Sequence, residues 1–208
     1  MTKPCPPTVY IVDDDAAVRD ALGALLGTVH LCSLVFASAE AFLAVANREM
    51  RGCLLLDVRM PGMSGLELQR KLQDLGITLP VAIITGHGDV PMAVRALKAG
   101  ASDFIEKPFN EQDLLDRIQT YLKTDQDAWH ARQAHIEAAA RFARLTPREM
   151  AVMELIAAGG HTKRIAAQLD IQARTVDVHR FNIMHKAGVR TLAELLQYWS
   201  ISQQPPLS

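Results

Sequence analysis

Five short apolar runs, rich in β-branched and aromatic residues, recur along the first 123 residues, with amphipathic stretches between them. The runs are VYIV (9–12), LCSLVF (31–36), CLLLD (53–57), VAIIT (81–85) and DFIE (103–106), and helical spacing marks 15–28, 38–49, 64–75, 90–99 and 110–123. A run that is apolar at consecutive positions is suited to burial on both faces, which a parallel sheet covered by helices provides. Alternating strands and helices therefore specify an α/β doubly wound domain with a five-stranded parallel sheet. In such sheets chemistry gathers beyond the carboxyl ends of the strands.

Those ends carry Asp13 and Asp14 after the first run, Asp57 closing the third, Thr85 closing the fourth and Lys107 just past the fifth. The first run drives straight into Asp13, Asp14 and Asp15, whose repulsion calls for water or a cation among them. Asp15 reads as the N-cap of the helix that follows. The remaining carboxylates suit a hard divalent ion such as Mg²⁺, which takes one or two carboxylates, waters and a phosphate oxygen. Asp57 is then the nucleophile for a phosphoryl group, with Lys107 and Thr85 placed to contact the phosphoryl oxygens. His87, in TGHGD, reads as a loop residue and not as a base.

The formal net charge of −1 hides an asymmetry: residues 1–123 carry −3, residues 124–143 carry −1, and residues 144–208 carry +3. A basic last piece points towards nucleic acid. Cys5, Cys32 and Cys53 have no metal-ligand spacing and read as reduced thiols. No apolar run approaches the roughly 20 residues that span a bilayer, and the start carries no secretory apolar region. The expected setting is cytoplasmic, without membrane attachment.

From Leu145 only helices are expected. TPRE (146–149) is a capping box with Thr146 as cap and Pro147 in the first turn; Gly159–Gly160 end that helix. A second helix starts near Thr162, a third covers 174–187 up to Gly188, and TLAE (191–194) opens a fourth. The second and third have helix-turn-helix proportions. Val176, Ile183 and Ala187 form one apolar stripe, while Arg174, Thr175, His179, Arg180 and Lys186 lie on other faces. Such cations neutralise phosphates, and residues near the helix start reach base edges.

The stretches IVDDD, LLLDVRMPGMSG and AIITGHGDVPMAVRALKAGASDFIEKPF resemble the receiver domain of two-component response regulators of the FixJ/NarL type, a fold of the CheY/flavodoxin-like class. The resemblance implies that Asp13, Asp14, Asp57 and the Arg59 backbone carbonyl bind Mg²⁺ and that a sensor histidine kinase phosphorylates Asp57. It further implies Thr85 and Phe104 as a switch pair and a cis peptide at Lys107–Pro108. Residues 145–198 resemble the LuxR-type output domain, a small all-α four-helix unit. Carried across, the DNA-binding residues are Lys163, Arg174, Thr175, Val176, His179, Arg180 and Lys186, with Leu192, Leu195 and Leu196 helping two copies pair. Asp170 stands in place of a turn glycine, which aspartate tolerates better than most residues. Gln172 stands where serine often caps the recognition helix, a loss of about 1 kcal/mol.

The expected organisation is a receiver over 1–123, a helical linker over 124–143 and a helix-turn-helix domain over 144–208. Leu115, Ile118, Leu122, Trp129 and Ile136 partly fit a heptad that Asp125 and Arg132 interrupt, so the linker reads as a helical connector. About 20 helical residues span roughly 30 Å. The function implied is a phosphorylation-switched transcription regulator, not an enzyme, which dimerises, binds promoter DNA and works with RNA polymerase. The alternative is a Mg²⁺-dependent phosphatase with a helical interaction module. A haloacid-dehalogenase-type site needs a second acid where Arg59 stands, and a dinucleotide fold needs glycines where Asp13–Asp15 stand.

Overall fold

The computed structural model describes residues 6–86 and 90–204; Cys5 and His87 lie outside them. The chain divides into two compact units after Ala128.

In the first unit, β1 (Thr8–Val12), β2 (Ser33–Phe36), β3 (Gly52–Asp57), β4 (Val81–Thr85) and β5 (Asp103–Glu106) form one parallel sheet in the order β2-β1-β3-β4-β5. Between them run α1 (Ala16–Thr28), α2 (Ala39–Leu43), α3 (Gly65–Asp74) and α4 (Val90–Lys98), and α5 (Glu111–Phe142) follows β5. Period-two alternation assigns each strand residue to a face. Val9, Ile11, Leu55, Ala82 and Ile84 pack with Leu22 and Leu26 of α1 and Leu114 and Ile118 of α5. Tyr10, Val12, Leu54, Leu56 and Ile83 pack with Phe42 of α2, Leu68 and Leu72 of α3 and Ala96 of α4. Each fully buried Leu or Ile contributes about 1.5–3 kcal/mol, so both faces carry stability.

Two elements are shorter than their apolar patterns. β2 begins at Ser33 because the Leu31 amide is spent on the Leu26 carbonyl, closing α1. α2 stops at Leu43, and beyond it the Asn47 side chain bonds both the Val45 carbonyl and the Glu49 amide. Asparagine competes with helical hydrogen bonding in this way. α5, by contrast, continues without a break well past residue 123.

In the second unit, α6 (Pro147–Ala157), α7 (Thr162–Leu169), α8 (Ala173–Ala187) and α9 (Leu192–Gln203) surround a core of Val152, Met153, Ile165, Val176, Ile183 and Leu195, joined by Phe142 at the end of α5. Thr146 and Thr191 each close a reciprocal capping box, with Glu149 and Glu194. Asp170 takes the left-handed conformation, φ 53°, at the end of α7. Gln172 precedes α8 without a side-chain cap bond.

Candidate functional site

The order of strands reverses between β1 and β3, and the crevice beyond the carboxyl ends at such a reversal is where doubly wound sheets hold ligands. Asp13 follows β1 directly and Asp57 ends β3; both are buried. Lys107, after β5, donates from Nζ to Asp13 Oδ2 at 2.7 Å and to Asp57 Oδ1 at 3.5 Å. Thr85 is buried at the end of β4, in the register position beyond the Asp57–Ile84 pair, and its carbonyl accepts the Lys107 amide at 2.9 Å. Thus three of the residues singled out from sequence meet directly and a fourth holds the backbone of one of them. Asp14 is exposed at the rim. Phe104 is half-buried against the core of the α3–α4 face, and Lys107–Pro108 is cis.

Local structure fixes each carboxylate. Asp13 Oδ1 accepts the Asp15 amide at 2.9 Å, and Asp15 Oδ1 caps α1 through the Ala17 amide at 2.8 Å. Asp57 Oδ2 accepts the Arg59 amide at 2.7 Å. This leaves Oδ1 with only the long contact to Lys107, so it is the oxygen free to react. Gly65 lets α3 come close: a Cβ there would lie 2.2 Å from the Asp57 carbonyl oxygen. Burial pushes the Asp57 carboxyl above the ordinary aspartate range, against the opposing pull of Lys107.

Among the described residues no three His, Cys, Asp or Glu side chains stand close enough to hold a metal ion; the Lys107 ammonium lies between Asp13 and Asp57. The donor chemistry nevertheless fits a hard cation. Two buried carboxylates share a single ammonium, Asp14 adds a further carboxylate at the rim, and every available donor is an oxygen.

The second unit presents α8. Arg174 and Thr175 are exposed near its start, and Lys163 is exposed on α7. His179 and Arg180 are half-buried; the Arg180 guanidinium donates to the Thr162 hydroxyl at 3.4 Å, which donates to Asp177 at 3.3 Å.

Comparison with known proteins decides the family. Residues 9–119 match the response regulator receiver domain, and residues 143–199 match the bacterial regulatory proteins of the luxR family. The chain belongs to the response regulators. It is 48% identical to the response regulator protein TmoT of Ectopseudomonas mendocina over 91% of this chain and 86% of that one. It is 45% identical to the transcriptional regulatory protein FixJ of Rhizobium meliloti, over 91% and 93%. Among solved structures, response regulator StyR is similar with TM-score 0.85 at 45% identity, covering 94% of this chain and 99% of that one.

Within this response regulator, the receiver is the α/β unit and the LuxR-type helix-turn-helix is built by α7 and α8. Two expected DNA contacts need correcting. Val176 is fully buried, so its side chain belongs to the core and reaches no ligand. Lys186 Nζ is committed to buried Glu149 at 2.6 Å, tying α8 to the α6 capping box. On α9, Leu195 is core and Leu196 packs against it, leaving Leu192 as the exposed leucine of the three. The face of α8 opposite the core carries Arg174, Val178, Phe181 and His185, and sequence reasoning placed only Arg174 there. The signal was available: these positions lie half a turn from Val176, Ile183 and Ala187.

Proposed function

We propose that Asp57 is the phosphoacceptor of this regulator, receiving a phosphoryl group from a sensor histidine kinase. Asp57 Oδ1 attacks phosphorus, the bond to the donor nitrogen breaks, and an acyl phosphate remains on the aspartate. The observation that carries this reading is the pair of buried carboxylates, Asp13 and Asp57, sharing one ammonium at the strand-order reversal. Asp13, Asp14, Asp57 and the Arg59 carbonyl hold Mg²⁺, which when bound supplies charge that offsets repulsion between carboxylate and phosphoryl oxygens. The Arg59 amide orients the nucleophile, and Lys107 is placed to contact the new phosphoryl oxygens. An apolar cleft of about 240 Å³ beside Lys107, lined by Val18, Leu22, Leu25 and Pro108, offers the kinase a docking surface.

Phosphorylation draws the Thr85 hydroxyl inward, Phe104 follows, and the α4–β5–α5 face changes so that two receivers pair. Val90, Val94 and Leu97 form an exposed apolar stripe along α4 that supports pairing there. Phosphate shifts the equilibrium only by its different interaction with the two states. Residues 124–143 act as the helical linker between receiver (1–123) and output domain (144–208). That domain binds promoter DNA through Lys163, Arg174, Thr175, His179 and Arg180 and activates transcription, with RNA polymerase as partner. No helix of the described residues is long and apolar enough to cross a membrane; the site of action is the cytoplasm.

The test is intact mass after incubation with Mg²⁺ and acetyl phosphate. The expected result is one added phosphoryl group, absent with chelator and absent in Asp57→Ala. Retention of that mass in Asp57→Ala overturns the assignment.

A further inference from the structure

The helix α8 ends on buried Ala187, followed by Gly188 in the left-handed conformation, φ 67°. The last carbonyls of a helix have no partner within it. The Gly188 amide returns to Met184 and His185, and the Val189 amide returns to Met184. The Ala187 carbonyl is served from another element: Arg141, in the last turn of α5, donates to it from Nη1. A Cβ at residue 188 would lie only 3.3 Å from that nitrogen, so glycine there gives the guanidinium room. The same guanidinium lies over the Tyr198 ring of α9, 4.3 Å from its centroid, and its Nη2 donates to Glu137 at 2.7 Å. Phe142, the next residue, packs edge-on against Trp199 in the output core. A permanently charged fork of donors is suited to such a junction, and a cation at a helix carboxyl end also meets the negative pole of its dipole.

We infer that Arg141 is a positioning residue for DNA recognition: it fastens the carboxyl end of α8 to the end of α5 and so fixes how α8 is presented. The inference rests on the DNA-binding reading above and adds to it a cation that acts through the protein and not on the DNA. Lys186 ties the last turn of α8 to α6 through Glu149, and Arg141 ties it to α5 and α9, so that turn is held from two sides. Because α5 follows β5 and runs unbroken to Phe142, the helix that leaves the receiver is the one that carries this bond. A contact of this kind acts on specificity more than on affinity. Phosphate contacts fix orientation without reading sequence, whereas bonds to base edges weaken steeply when their angles change.

The experiment uses the full-length chain treated with Mg²⁺ and acetyl phosphate. The wild type selects a duplex from a randomised pool, and binding to that duplex and to a scrambled one is measured across a salt series, at a temperature where the variants are folded. In Arg141→Ala the ratio of selected to scrambled affinity should fall about tenfold, the value of one hydrogen bond to a charged donor, while scrambled binding keeps its strength and salt slope. Arg141→Lys keeps the charge but loses the fork that spans Ala187, Tyr198 and Glu137, so its ratio should fall about threefold; it carries the test if Arg141→Ala does not fold. Glu137→Gln leaves the bond to Ala187 in place and should hold the ratio within about twofold. Equal losses on both duplexes, with the salt slope reduced by about one, would make Arg141 a phosphate contact and overturn the inference. An unchanged ratio in the Arg141 variants, or an equal fall in Glu137→Gln, overturns it as well and leaves DNA binding intact. A wild type that selects no duplex overturns the DNA-binding reading and the inference with it.

Discussion

Two lysines of this chain reach buried carboxylates at almost the same distance, and the two regions put the contact to different use. In the output domain Lys186 meets Glu149 at 2.6 Å, and the same carboxylate oxygen also accepts the Thr146 amide at 2.8 Å and its hydroxyl at 3.0 Å. One cation faces one anion, and Lys186 holds the Glu149 carboxyl below the ordinary glutamate range. In the receiver one Lys107 is divided between Asp13 and Asp57, at 2.7 and 3.5 Å, and burial drives the Asp57 carboxyl upward. Buried charge is therefore no sign of function by itself. An unbalanced count is, because the missing positive charge must come from something that binds.

A third buried pair lets the comparison be broken. Arg51 Nε donates to Asp125 Oδ2 at 2.7 Å, with side chains 8% and 1% exposed, tying the loop before β3 to α5 within the receiver. Among the described ion pairs one cation meets one carboxylate there, so it should behave as structure. Asp125→Ala removes the carboxylate that faces the buried Arg51 guanidinium, and the receiver should lose about 3–5 kcal/mol of stability, read as a lower midpoint in urea. The double variant Arg51→Met with Asp125→Leu should recover most of that loss. A loss below about 1 kcal/mol would show that balance does not mark a structural pair, since exposed pairs already reach that value.

Asp125 also shows where sequence stopped being readable. Along α5 it breaks a heptad of Leu115, Ile118, Leu122, Trp129 and Ile136, and a linear reading takes it as a flaw in a seam. Its reason lies seventy-four positions away at Arg51, and no local pattern carries such a partner. Leu115 and Ile118 likewise serve the receiver core. The strand ends were legible because a parallel sheet maps order in sequence onto position along one rim. The acidic notch followed from that mapping. The output helices were legible from their capping boxes and the core stripe of α8 from the spacing of Val176, Ile183 and Ala187; Val176 became a DNA contact only through the family resemblance, and Phe181 was overlooked.

The pH dependence of the two sites should run in opposite directions. Glu149 has a lowered carboxyl in the folded state, so its contribution is complete above the unfolded value near 4.5 and is lost as pH falls below it. Glu149→Gln should lower the output domain's stability at pH 7 by about 1–2 kcal/mol, and the difference from wild type should shrink below pH 4.5. Asp57 is raised, so its ionisation opposes folding: the penalty is absent below 3.8 and grows as pH climbs through the folded value. Asp57→Asn should therefore raise the receiver's thermal midpoint at pH 7. Parallel trends in both variants would remove the distinction between balanced and unbalanced sites.

The smallest effect sharpens the contrast on the output side. α6 and α9 are opened by threonines in complete capping boxes, yet α8 is opened by Gln172 with no side-chain bond to its first turn. Gln172 already has extended backbone angles, φ −74° and ψ 148°, the conformation a capping residue needs. Gln172→Ser supplies an acceptor within reach of the α8 first-turn amides without moving the chain. The expected gain is about 0.5–1 kcal/mol, measured as an increased urea midpoint for the output transition with an unchanged slope. No gain would show that water already satisfies those amides. A gain accompanied by weaker DNA binding would show that the same amides serve a phosphate, placing the start of α8 against the DNA backbone and leaving base reading to the residues further along.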